Sequence, residues 1–233
     1  MNEFDKFATD YNKDLDSILT SSIGASSDYF AEYKIKEVYN IVKNRINPIK
    51  ILDFGCGIGK NSLILEKYFP KSEIYGIDVS TKSIQVAKEQ KTTNCIFSVY
   101  DGLNINVEND SIDVIFISNV FHHIPHEEHS RILSILQSKL SNNGYLFLFE
   151  HNTLNPLTLK IVNECEFDND AKLLHFWYAK KLLKEAYFSN IDINFILFIP
   201  PFLKKLLFLE KYMKWLPFGG QYYAIARKRI YAN

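Results

Sequence analysis

Through the middle of the chain the hydrophobic pattern switches between two rhythms. Short apolar runs bounded by turn residues pass through Ile49, Ile51 and Leu52, then Ser72 to Asp78, Cys95 to Tyr100, Ile112 to Ser118 and Tyr145 to Glu150; they read as buried strands. Between them, apolar residues recur at helical spacing over Asn61 to Phe69, over Thr81 to Lys91 behind the capping residue Ser80, and from near Pro125 through Leu140. The last of these has Ile132, Leu133, Leu136 and Leu140 as its core face, and Asn142-Asn143-Gly144 is expected to end it. Strands alternating with helices predict an α/β fold with a doubly wound, mostly parallel sheet and ligands at the strands' carboxyl ends.

The flanks are less regular. Phe4, Phe7, Ala8 and Tyr11 recur at helical spacing, and Asp28 can cap a second helix over Tyr29 to Arg45. Residues 1–46 are therefore read as a helical N-terminal cap, with two readings open for it: a helix pair simply packed on the core, or a lid. Asn47-Pro48 breaks the helix before the first strand. Past the fifth strand, Asn155-Pro156 can open a helix through Cys165, Phe167 to Asp170 reads as a loop, a helix covers Phe176 to Phe188, and Ile191 to Ile199 and Gln221 to Arg227 are the last two strands. One domain results: cap 1–46, core 47–150, and C-terminal insertions with the last strands over 151–233. Pro200 to Gly220 is read as a helix, with Phe202, Leu206, Leu209, Met213 and Leu216 in one stripe and Lys204, Lys211 and Lys214 opposite. Three readings compete for it: packing on the domain, walling an acceptor pocket, or peripheral contact of 200–220 with a membrane surface or another subunit.

Composition narrows the classes. Hydrophobic residues make up 47% and charged ones 23%, ordinary for a globular protein, and the formal net charge of +0 gives no footprint for nucleic acid. Cys56, Cys95 and Cys165 are too scattered for a metal or disulfide framework, so a reduced, cytoplasmic setting is expected. Met1 to Lys6 has no apolar signal-peptide core, and no run approaches the ~18 apolar residues of a membrane span.

The chemistry centres on Ile51-Leu52-Asp53-Phe54-Gly55-Cys56-Gly57-Ile58-Gly59-Lys60, a strand running through a glycine turn into a helix. Glycine permits positive φ and close ligand approach, and a helix N-terminus offers free N–H groups. In a dinucleotide fingerprint the third glycine would fall at Lys60, and a carboxylate at Asp53 would repel a pyrophosphate while suiting a sulfonium or ammonium. Asp78 ends the second strand about twenty residues after the glycines, where an acid accepts from ribose hydroxyls in nucleotide-binding α/β folds.

In its acid followed by G-x-G-x-G, the chain resembles the class I S-adenosylmethionine-dependent methyltransferases over roughly residues 49–150. The resemblance implies a Rossmann-like sheet of seven strands with the seventh antiparallel. S-adenosyl-L-methionine, and its product S-adenosyl-L-homocysteine, would lie against Asp53, Gly55, Cys56, Gly57 and Gly59, with Asp78 and Val79 at the ribose and Asp101 and Gly102 at the adenine. Asn119 would line the methionine end, and Tyr11 matches the opening of such relatives. Tyr187 departs from the family, which often has glycine there.

Methyl transfer is an in-line displacement in which the protein positions the reactants and excludes water. A base helps when the acceptor is a hydroxyl or a protonated amine. His123 is the first candidate, followed by His122, His151 and Glu150, since histidine ordinarily titrates near neutral pH. No metal is expected, because Pro125 interrupts the His122–His126 pair. The acceptor is expected to be a small molecule, with O or N methylated: a sugar, a specialised metabolite or something lipid-like. The alternatives are a non-enzymatic cofactor-binding module and a dinucleotide-dependent oxidoreductase.

Overall fold

The computed structural model describes residues 20, 24, 26–44, 50–165, 168 and 171–229. The expected first helix, with Tyr11, lies outside these residues. Helix α1 (Ser27–Val42) precedes β1 (Lys50–Phe54), α2 (Lys60–Tyr68), β2 (Glu73–Asp78), α3 (Thr81–Lys88), β3 (Cys95–Val99) and β4 (Ile112–Ser118). A 3-10 turn (Phe121–His123) leads to α4 (His126–Lys139), β5 (Leu140–His151), α5 (Pro156–Glu164), α6 (Phe176–Glu185) and β6 (Phe188–Ile196). A 3-10 run (Pro201–Leu209), the short α7 (Glu210–Met213) and β7 (Gln221–Lys228) complete the chain.

The seven strands lie in the order β3-β2-β1-β4-β5-β7-β6. β1 pairs in parallel with both β2 and β4, so the strand order reverses between β1 and β4, where such sheets bind ligands. β7 is antiparallel to both β5 and β6. Successive strand residues point to opposite faces. Leu52, Ile115, Ile117, Leu146 and Leu148 therefore pack with α4 and α6, while Ile51, Val114, Phe116, Phe147 and Phe149 pack with α1 and α2. On α1, Ile35, Val38 and Val42 are fully buried, which fixes that helix on the sheet.

Three expectations change. Asn142-Asn143-Gly144 is not a helix stop; it lies inside β5, next to a register shift between Ile112 and Val114. Glycine is needed at 144 because a Cβ there would sit 2.9 Å from the Ile112 carbonyl oxygen. Helix α6 ends earlier than expected, and Tyr187 takes φ 61°, a left-handed conformation that glycine adopts without strain. Pro200 to Gly220 is not one α-helix: Leu203 kinks the 3-10 run, and the expected apolar stripe is not buried. The segment is held instead by polar contacts. Glu210, its one buried side chain between 201 and 213, accepts from the Tyr33 hydroxyl and from Ile199 N (2.9 Å), and the Lys214 carbonyl accepts from Phe195 N (2.8 Å).

Candidate active site

A cavity of about 650 Å³ sits at the carboxyl ends of β1, β2, β4 and β5, with α1 along one wall. The glycine turn forms its floor. Gly55, Gly57 and Gly59 have φ values of 75°, 53° and 84°, as a turn built from left-handed residues requires. Their surroundings differ. A Cβ on Gly55 would lie 2.4 Å from Val120 Cγ2, and one on Gly59 would lie 2.8 Å from Phe97 Cζ, so these two glycines allow close packing. Above Gly57 no atom of the described residues comes within 4 Å of a Cβ position. Gly57 N donates to Asp78 Oδ2 and Ser80 N to Asp78 Oδ1, both at 2.8 Å, which pins the carboxylate on the cavity wall. A carboxylate oxygen has two lone pairs and can take more than one hydrogen bond.

Gly55, Cys56, Gly57, Asp78, Val79, Gly102 and Asn119 all line the cavity. Gly59, Asp53 and Asp101 do not. Asp53 lies beneath the turn, 1% exposed, with Oδ2 accepting from Ser62 Oγ at 2.6 Å. Burial, with a smaller push from Asp78 and against the Ser62 hydrogen bond, raises its pKa to about 7. Asp101 is turned outward into its own loop, where Oδ1 accepts from Leu103 N (2.7 Å) and Asn104 N (2.6 Å); Tyr100 and Gly102 face the cavity instead. An Asp-Gly turn satisfies its own carboxylate, a local bond the sequence motif does not reveal.

The histidines converge on the opposite wall. Glu150 is fully buried at the end of β5; Oε1 accepts from Phe121 N (2.9 Å) and Oε2 from His122 Nδ1 (2.6 Å). Asp168 Oδ1 lies 3.5 Å from His122 Nε2 and 3.4 Å from His123 Nε2. Burial opposes charge on His122, but Glu150 and Asp168 outweigh it and raise its pKa to about 9. Burial, reinforced by the His122 charge, lowers His123 and His151 to about 4 each. The near-neutral titration expected of these rings is thus displaced in both directions. At pH 7 His122 is an imidazolium, and His123 and His151 are neutral. His126 is stacked on Tyr178 (centroids 5.0 Å apart), away from this cluster, and His129 Nε2 bonds the carbonyls of Phe121 and Ile124 at 2.9 Å. The donors that lie together are His122, His123 and Asp168, within 4.8 Å of one another, a set that could hold a divalent cation.

Two lining residues escaped the sequence reading. Lys34 on α1 is 4% exposed and donates to Ser118 Oγ at 2.9 Å; burial lowers its pKa to about 8, with Glu150 acting the other way. The available signal was a lysine one helical turn from Val38, on the buried stripe of an amphipathic helix. Asp168 fell in a stretch that reads only as a loop.

Residues 47–194 match the family model described as the methyltransferase domain. An uncharacterised protein of Rickettsia prowazekii is 29% identical over 124 residues, 52% of this chain and 49% of that protein, so the match spans about half the relative's length. The malonyl-[acyl-carrier protein] O-methyltransferase of Bacillus cereus is 28% identical over 184 residues, covering 74% of this chain and 67% of the relative. In fold, the chain is similar to a SAM-dependent methyltransferase from Archaeoglobus fulgidus, with a TM-score of 0.67 and 19% identity over 91% of this chain and 98% of that one. Other relatives are named as a release factor glutamine methyltransferase, a demethylmenaquinone methyltransferase and a ribosomal RNA methyltransferase, so the likeness does not select an acceptor.

Proposed function

The chain belongs to the methyltransferase domain family, with the fold of the class I S-adenosylmethionine-dependent enzymes, and on that premise we propose that it methylates an oxygen or nitrogen of a small molecule held in the cavity. The observation that carries this reading is the Asp78 carboxylate, braced by Gly57 N and Ser80 N beside the open space over Gly57. That geometry suits a ribose diol. Asn119 Oδ1, buried and without a hydrogen-bond partner among the described residues, and the Lys34 ammonium supply an acceptor and a cation for the amino-acid end of the cofactor. S-adenosyl-L-methionine supplies the electrophilic methyl carbon and leaves as S-adenosyl-L-homocysteine.

The chain's own part is to position and desolvate. His123 is neutral at pH 7 and too weak a base, at about 4, to ionise a hydroxyl; we assign it the task of accepting a hydrogen bond from the acceptor's O–H or N–H. His122 and Glu150 hold that ring's backbone in place. The cavity volume falls in the ~300–1,000 Å³ range of small-molecule sites, and the net charge of +0 supports a metabolite over a nucleic acid. The free thiols of Cys56, Cys95 and Cys165 support a cytoplasmic setting.

Isothermal titration against S-adenosylmethionine, S-adenosylhomocysteine and NADH tests the reading. The first two should bind at one site and NADH should not. Asp78→Ala should weaken cofactor binding by about 1–3 kcal/mol, because it removes the ribose acceptor and leaves donors unpaired. Unchanged affinity in Asp78→Ala, or preference for NADH, rejects it. Labelled methyl transfer into a metabolite extract then separates an enzyme from a binding module.

A further inference from the structure

We propose that residues 201–218 dock the protein on an anionic lipid surface. Phe202, Phe208, Tyr212, Trp215 and Phe218 are 74%, 62%, 65%, 75% and 66% exposed, and Leu203, Leu206 and Leu209 are exposed beside them. A single exposed apolar residue is unremarkable on a protein surface, whereas a contiguous run of large ones marks an interaction site. The run arises because polar contacts, not an apolar groove, seat this segment. Glu210 reaches inward to Tyr33 and Ile199, Asn155 Nδ2 holds the Phe218 carbonyl at 2.9 Å, and Asn152 Nδ2 holds the Pro217 and Gly219 carbonyls at 3.0 and 2.7 Å. The apolar side chains are left facing out.

Charge identifies the occupant. Lys204, Lys205 and Lys211 are exposed among these rings, and Lys214 pairs with Glu37. Glu210 is the segment's only acid, and it is buried. The outward face is therefore aromatic and cationic, the composition of segments that lie in a lipid interface and are drawn to anionic headgroups. A second copy of the chain would set lysines against lysines. The core of a protein–protein interface is typically depleted of lysine.

The segment's two ends are also cavity walls: Leu197 to Pro201 on one side, Gly220 and Gln221 on the other. On the methyl-transfer reading, this places the acceptor site beside the lipid surface and favours an amphiphilic acceptor. The docking itself does not depend on that reading.

Co-sedimentation with vesicles of phosphatidylcholine alone, or mixed with phosphatidylglycerol, tests the proposal without cofactor or acceptor. The protein should sediment with the mixed vesicles, less so at high salt, and Trp215 fluorescence should shift to the blue in a Trp177→Phe background. Phe208→Ser/Trp215→Ser and, separately, Lys204→Glu/Lys205→Glu/Lys211→Glu should each weaken binding at least tenfold. An unchanged thermal midpoint and cofactor titration will establish that both variants are folded. No binding to the mixed vesicles overturns the proposal, as does binding that survives either set of substitutions. A concentration-dependent dimer abolished by Phe208→Ser/Trp215→Ser, without vesicle binding, would assign the face to a second copy instead. If the unsubstituted protein binds cofactor but not the mixed vesicles, the docking is refuted and the methyltransferase reading stands.

Discussion

Glu150 links two tasks at the level of single residues, fixing the Phe121–His123 turn through Phe121 N and setting the charge of His122. Glu150→Gln keeps an acceptor for the amide but removes the negative charge, so the pKa of His122 should fall from about 9 toward its ordinary value, readable by imidazole NMR. A folded-state pKa above the unfolded value of about 6.5 gives stabilisation that is full below that pH and lost as pH rises through about 9. The wild type should therefore lose unfolding midpoint over this alkaline window more steeply than Glu150→Gln; equal slopes would refute the assignment. His123 and His151, lowered to about 4, act oppositely, and their share is lost as pH falls from about 6.5 toward 4. His123→Ala should lower turnover tenfold or more with cofactor affinity nearly intact, measured by titration beside steady-state kinetics; lost cofactor binding with normal turnover would contradict the acceptor-side role. The sequence made the positions of Asp78, His122 and His123 legible, because motif order along a βαβ chain fixes which strand end each occupies. It could not reveal the histidines' charge states, which depend on Glu150 and Asp168 arriving from elsewhere. Nor could it reveal that the Asp101 carboxylate bonds within its own turn, accepting from Leu103 N and Asn104 N.

At the scale of elements, the glycine turn separates space needed for packing from space left for ligand. Gly55→Ala adds a left-handed alanine, about 1–2 kcal/mol, and an overlap with Val120, about 1–3 kcal/mol more. Gly57→Ala carries only the first cost, since its Cβ meets open space. Denaturant unfolding should thus rank Gly55→Ala well below Gly57→Ala in stability, while titration should find cofactor affinity reduced in the folded Gly57→Ala protein. Equal stabilities would undo the distinction. The spacing of the glycines is visible in sequence, but Val120 comes into contact only once β4 lies beside β1. The same holds elsewhere. β4 falls where its apolar run predicts, because a strand buried on both faces leaves a continuous signal. The Pro200–Gly220 stripe misled, because helical spacing records a capacity for amphipathicity and not the presence of a groove to receive it.

At the scale of the whole molecule, the doubly wound core and its antiparallel last strand follow from alternating strand and helix signals and from the resemblance. The placement of α1 and the outward turn of 201–218 do not, because each depends on contacts between residues far apart in the chain. Glu210 joins those two parts: it holds Tyr33, whose chain neighbour Lys34 lies on the cavity wall, and Ile199, just ahead of the 201–218 segment. On the docking proposal, loading that segment against vesicles should bear on the seat of α1, and filling the cavity should bear on the segment in return. Thermodynamic reciprocity makes the two effects equal, so whatever factor anionic vesicles apply to cofactor affinity, cofactor must apply to vesicle affinity. The two titrations should return one coupling factor greater than one in the wild type, and Glu210→Gln should bring it toward one. A factor of one in the wild type would mean that Glu210 anchors the segment without transmitting anything through it.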